Sequence, residues 1–199
     1  MNSWDAFDPV TLNPAGETSA VFMSGGVLDY RSAARFVSHL PYRRNSTVGD
    51  PLIVIRENCG TCSTKHALLR RLASEQGLDV ALTLGIYEMH ERNTPGVGPT
   101  LAKYGLASLP EAHCYLRYRG KRIDVTRAAC RPAEAIAQFL HEEDIDAEQI
   151  GVYKTTLHRE FLRRWTAESG AGSGRRLEEL WRIREECVAA LSSEVASLR

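Results

Sequence analysis

The chain has 199 residues, 43% hydrophobic and 25% charged, which excludes a disordered tract and suffices for one ordinary domain without metal or disulfide staples. Lys plus Arg and Asp plus Glu are 25 each, for a net charge of zero, and this excludes the positive field on which bulk nucleic-acid or anionic-membrane binding depends. No apolar run approaches a membrane span, and the N-terminal MNSWDAFDPVTLNPAG has neither a basic n-region nor an apolar h-region, so the five cysteines are expected as free thiols in a reducing cytoplasm.

Residues 1–28, rich in Pro, Gly, Asn, Ser and Thr, predict an irregular arm. Asp29 is placed to cap a helix reaching about Leu40, with Ala33, Ala34, Phe36, Val37 and Leu40 on its apolar side and Pro41 ending it. LPYRRNSTVGDP is a loop, and PLIVIREN a short extended or helical lead-in. The run from Cys62 to Gln76 (CSTKHALLRRLASEQ) consists of strong helix formers, with Gly77 at the C′ position. In VALTLGIY, Val80, Leu82, Leu84 and Ile86 recur at period two, predicting a strand. ERNTPGVGP is a loop, LAKYGLASLPEA an irregular or short helical connection, and HCYLRYRGKRIDVT a β-hairpin turning at Arg119-Gly120. After Cys130 the pattern becomes helical. Pro132 precedes a helix over AEAIAQFLHEE, and a second helix spans about Gln149 to Glu168 with a stripe of Tyr153, Leu157, Phe161 and Trp165. Beyond SGAGSG a third runs from about Arg175 to Leu198, with Leu177, Leu180, Trp181, Cys187, Val188, Leu191 and Val195 inward. Helix, strands, then helices predict an α+β fold.

Cys62 falls in the first turn of its helix, where unbonded amides and the helix dipole favour a thiolate and can receive an oxyanion. A two-residue hairpin loop makes facing positions sum to 239. Leu116 then faces Ile123 and Cys114 faces Val125 on an apolar side. The other side carries His113, Tyr115, Asp124 and Thr126, with His113 and Asp124 as diagonal neighbours. A carboxylate beside a histidine fixes its tautomer and stabilises the imidazolium. Pattern alone does not bring Cys62 to that pair.

GTCSTKHALLRRLASEQGLDVALTLGIY resembles the nucleophile helix and first strand of the transglutaminase-like (papain-related) cysteine superfamily, and EAHCYLRYRGKRIDVT resembles its histidine and aspartate strands. The resemblance implies Cys62 as nucleophile, His113 as general acid–base and Asp124 as the group orienting the histidine. It implies an amide-bond hydrolase or acyl transferase acting on a peptide or small amide, with no cofactor and no metal. It also implies a nucleophile helix packed on an antiparallel sheet. The likeness covers about residues 55–130. The single domain then divides into an arm and helix (1–50), a transglutaminase-like core (51–130) and a helical extension (131–199), whose stripes leave open a homodimer surface. The chain departs from the family in having no Trp in CYLRYRGKRI and Val125-Thr126 in place of Pro after Asp124. Asn58 stands as a replacement oxyanion donor.

Other readings weigh the same residues differently. Cys59-Gly-Thr-Cys62 is a C-x-x-C at a helix start, the pattern of a thiol redox protein. Cys59, Cys62, Cys114 and His113 are chemically suited to zinc, but lack a second close-spaced pair. A non-catalytic scaffold that kept the fold is the remaining alternative. His66, one turn beyond Cys62 on the same side, reads either as a residue tuning the thiolate or as a packed or capping histidine, while His39, His141 and His158 read as surface or partly buried. Arg117 opposite Arg122 costs a little stability unless a carboxylate or an anionic substrate intervenes.

Overall fold

The computed structural model describes residues 2–128, 136, 138–168 and 174–193. Seven α-helices among these residues and a four-stranded antiparallel sheet make the fold α+β. The strands are β1 (Val80–Met89), β2 (Leu109–Tyr118), β3 (Lys121–Ile123) and β4 (His141–Ile145), in the order β3-β2-β1-β4. The chain gathers into two compact units. The first comprises Met1–Leu84, Cys114–Cys130 and Glu143–Gly151, and the second Gly85–His113, Arg131–Glu142 and Val152–Arg199.

In the first unit the arm is more ordered than its composition predicts. It contains a 3-10 turn (Ser3–Ala6) and helix α1 (Glu17–Ser24). The reason is tertiary. The Glu75 carboxylate accepts hydrogen bonds from the amides of Thr18 (2.9 Å) and Ser19 (2.7 Å), satisfying first-turn donors of α1 from a residue far along the chain. Helix α2 (Tyr30–His39) is capped by Asp29, whose side chain accepts from the Ser32 amide, as expected. The lead-in resolves as the short helix α3 (Ile53–Arg56). Helix α4 (Cys62–Glu75) matches its expected span and closes at Gly77, with φ of 64°. Ala67, Leu68, Leu69, Leu72 and Ala73 are fully buried, and the Tyr30 hydroxyl donates to Leu69 O (3.0 Å), tying α2 to this core helix.

The hairpin has the expected register. Leu116 pairs with Ile123, Arg117 with Arg122 and Tyr118 with Lys121. Arg119 and Gly120 both take positive φ (49° and 73°), as a two-residue turn matched to strand twist requires. Asp144 provides the carboxylate that Arg117 needs, at 3.9 Å. Cys114, Leu116, Ile123 and Val125 are buried as expected, and Tyr115, assigned to the other side, is buried as well.

In the second unit, α5 (Gly98–Lys103), α6 (Val152–Glu168) and α7 (Leu177–Ser193) gather. The helix expected over AEAIAQFLHEE is not formed where the chain is described. Residues 136 and 138–140 are non-helical and His141–Ile145 is a strand. Leu140 N–H donates to Ile86 O (2.7 Å), so pairing beside β1 outweighs the local helix pattern. The charged residues of β4 suit an edge strand. Pro132 and Cys130 lie outside the described residues, as do Val195 and most of SGAGSG.

The buried stripe of α6 also differs from expectation. Lys154, His158, Leu162 and Trp165 face inward, whereas Tyr153 is 41% exposed. Buried Glu111 accounts for the shift. Arg184 grips it through two hydrogen bonds, Lys154 adds positive charge near it, and the His158 ring, which burial holds below the usual histidine range, stands beside it. His158 Nε2–H donates to Pro110 O (2.9 Å), and its ring meets Trp181 edge-on, making it a core residue. Helix α7 buries Leu180, Ile183, Cys187, Val188 and Leu191, close to its expected stripe.

Candidate functional site

The turn before α4 is built by side chains from a neighbouring loop. Gly60 N–H donates to Pro41 O, and Gly60 O accepts from Arg43 N–H, laying residues 41–43 alongside the turn. A Cβ at Gly60 would stand 2.9 Å from Lys65 Cγ and 3.0 Å from Thr64 Oγ1, so this close approach requires glycine. Thr61 N–H donates to Thr64 Oγ1, which in turn donates to Asn45 Oδ1 (2.7 Å). Asn45 Nδ2 donates to Cys59 O and Glu57 Oε2, both at 3.0 Å. Sequence reasoning missed Asn45, because its partners are 12 to 19 positions away.

Cys62 is the first residue of α4, and the helical ladder begins beyond it with Lys65 N–H donating to Thr61 O. Its amide and those of Ser63 and Thr64 therefore precede the intrahelical bonds. Cys62 is 7% exposed, while Cys59, Cys114 and Cys187 are at 0%. All four are free thiols. Cys59 Sγ accepts from Arg43 Nε (3.4 Å), and burial pushes the Cys187 thiol up to about 11.

Asp124 lies just past β3, because hairpin pairing ends at Ile123. The ladder therefore does not extend to the Tyr115–Asp124 pair expected from sequence. Asp124 is instead held against α4. Its Oδ1 accepts from Thr126 N–H (2.8 Å) in an Asx turn, and the following backbone is bound by two helix side chains. Val125 N–H donates to His66 Nε2 (2.9 Å), and Lys65 Nζ donates to both Thr126 O (2.7 Å) and Leu40 O (2.6 Å). Lys65 and His66 are fully buried.

Since His66 Nε2 accepts the Val125 proton, Nδ1 carries the imidazole proton and donates to Cys62 O (2.8 Å). The 3.6 Å approach of Asp124 Oδ1 to Nε2 is therefore no ion pair. His66 is the packed histidine the sequence suggested, and it braces the Asp124 segment. Desolvation lowers Lys65 from 10.5 to about 8, reinforced by Arg127 and opposed by Asp124, Cys59 and Cys62.

His113 is in β2, half-buried, in the second unit. Its ring meets Tyr87 at 6.0 Å and 76°. Thus Cys62 and Asp124 share the first unit and His113 belongs to the second. Asn58 is exposed with φ of 50°, a left-handed conformation that asparagine tolerates, which accounts for the residue on backbone grounds. No helix among the described residues is long and apolar enough to cross a membrane. Comparison with models of known families, with curated proteins and with solved structures finds no match.

Proposed function

We propose that the chain is a cysteine-dependent amide-bond enzyme with a transglutaminase-like core, using Cys62, His113 and Asp124 on a peptide or small amide. The observation that carries this reading is Cys62 itself. It is the most exposed of the described cysteines and starts a fourteen-residue helix, where amide dipoles stabilise negative charge on sulfur and on a nearby oxyanion. The thiol passes its proton to His113, and the sulfur bonds to the carbonyl carbon as the π pair moves onto oxygen. Collapse breaks the C–N bond, and the imidazolium protonates the departing amine. Water then releases an acid, or a second amine forms a new amide. Asp124 orients His113 and stabilises its charged form. On this proposal the chemistry belongs in the reducing cytoplasm, where a thiol nucleophile stays reduced.

Iodoacetamide labelling across pH tests the assignment. Cys62 should react selectively below pH 8, and His113→Ala should remove that advantage. Reaction of Cys62 no faster than Cys187 in the wild-type protein would refute the triad. Electrophilic activity probes and peptide libraries then separate hydrolysis from acyl transfer.

A further inference from the structure

A lysine and a histidine side by side at zero exposure are an expensive choice for the interior face of a helix, where leucine or methionine would fill the space without desolvating polar atoms. Their positions show what they hold. Lys65 and His66 are three and four residues beyond Cys62, so both lie one turn along the same side of α4. The β2–β3 ladder stops at Ile123, and the chain beyond must satisfy its main-chain groups elsewhere. His66 takes the Val125 amide and Lys65 the Thr126 carbonyl, which replaces strand pairing with two side-chain tethers. Lys65 also fastens the same point to Leu40 O at the end of α2. Between the tethers and β3 sits Asp124, its Oδ1 already oriented by the Thr126 amide.

We propose that Lys65 and His66 are positioning residues for the Asp124 carboxylate, fastening its chain segment to the helix that bears Cys62. This rests on the assignment of Cys62, His113 and Asp124 to the chemistry above. His66 acts through Val125 and not as a proton carrier, since its nitrogens face Val125 N–H and Cys62 O. The spacing of the carboxylate from the nucleophile is thereby set by one helix, with no dependence on how far the short hairpin remains zipped.

The test is a double-mutant cycle read by iodoacetamide labelling of Cys62 from pH 5 to 9. Asp124→Ala and His66→Leu should each slow labelling at pH 6 about tenfold, the effect of raising the thiol pKa by about one unit. The double variant should lose no more than either single one. His66→Gln, whose side-chain oxygen accepts from Val125 N–H, should recover most of the loss. A structural role alone lowers stability but leaves the labelling profile in place or gives additive losses, and either result overturns the proposal. If wild-type Cys62 shows no His113-dependent activation, the enzymatic assignment fails first, and positioning falls with it. If His66→Leu does not fold, Lys65→Met probes the second tether in the same cycle. Amide exchange in the wild-type protein provides a further check. The Val125 amide should be protected like the core of α4, and exchange at the rate of an open loop amide would overturn the clamp.

Discussion

Lys65→Met separates the cost of burying a charge from the benefit of the tethers it makes. Burial, helped by Arg127, brings the lysine from 10.5 to about 8. That corresponds to a penalty of about 3 kcal/mol for carrying the proton in the folded state. The folded lysine releases its proton earlier than the unfolded one, so the penalty is fully present below pH 8 and is relieved as pH rises toward 10.5. Methionine removes it, but leaves Leu40 O and Thr126 O without their donor, at about 1.5 to 3 kcal/mol for each charged hydrogen bond lost. At pH 7 the two effects partly offset, and the variant should be about 0 to 3 kcal/mol less stable than wild type. At pH 10 the wild-type protein should have gained about 2 kcal/mol over the variant. Urea unfolding followed by tryptophan fluorescence, with both proteins at pH 7 and pH 10, measures the difference while other titrating groups cancel. A stability difference constant to within about 0.5 kcal/mol across that range would refute the desolvated ammonium.

Arg184→Met should cost about 3 to 5 kcal/mol at pH 7, since it strands a buried carboxylate. Burial pushes Glu111 upward, but Arg184, His158 and Lys154 together hold it well below the usual carboxylate range. Without Arg184 burial gains weight, and protonation of Glu111 should narrow the deficit as pH falls toward 4. Denaturant titrations at pH 7 and 4.5 check this. Gly60→Ala places a methyl against Lys65 Cγ, Thr64 Oγ1 and Val54 Cγ2 and should cost about 1 to 3 kcal/mol by thermal melt. It should also slow Cys62 labelling, because the turn before the helix must move. Glu75→Ala removes the acceptor for the α1 amides and should cost about 1 to 2 kcal/mol, with faster hydrogen exchange over residues 18–24.

The clearest elements are those whose signals are local. A run of strong helix formers with glycine at the right end produced α4. A period of two marked β1, and a positive-φ turn at Arg119-Gly120 set the hairpin register to the residue. The position of Cys62 at a helix start follows from the same information. Where a residue's state depends on a distant partner, the pattern misleads. The stretch before His141 has helical periodicity, yet Leu140 bonds to Ile86 and the next five residues form a strand. Helix α1 depends on a carboxylate from the end of α4.

The polar residues divide along the same line. Apolar periodicity places leucines and alanines in the core because burying them needs no specific partner. Lysine and histidine enter it only when a matching carbonyl, amide or carboxylate lies within hydrogen-bond or Coulombic reach, and such partners are assembled by folding. Lys65 and His66 are buried because residues 125 and 126 arrive beside α4, and His158 and Lys154 because Glu111 lies behind α6. Helix α4, strand β1 and the hairpin turn could thus be read from neighbouring residues, whereas the tertiary structure decided helix α1 and strand β4, which charges went inside and which backbone segment they hold.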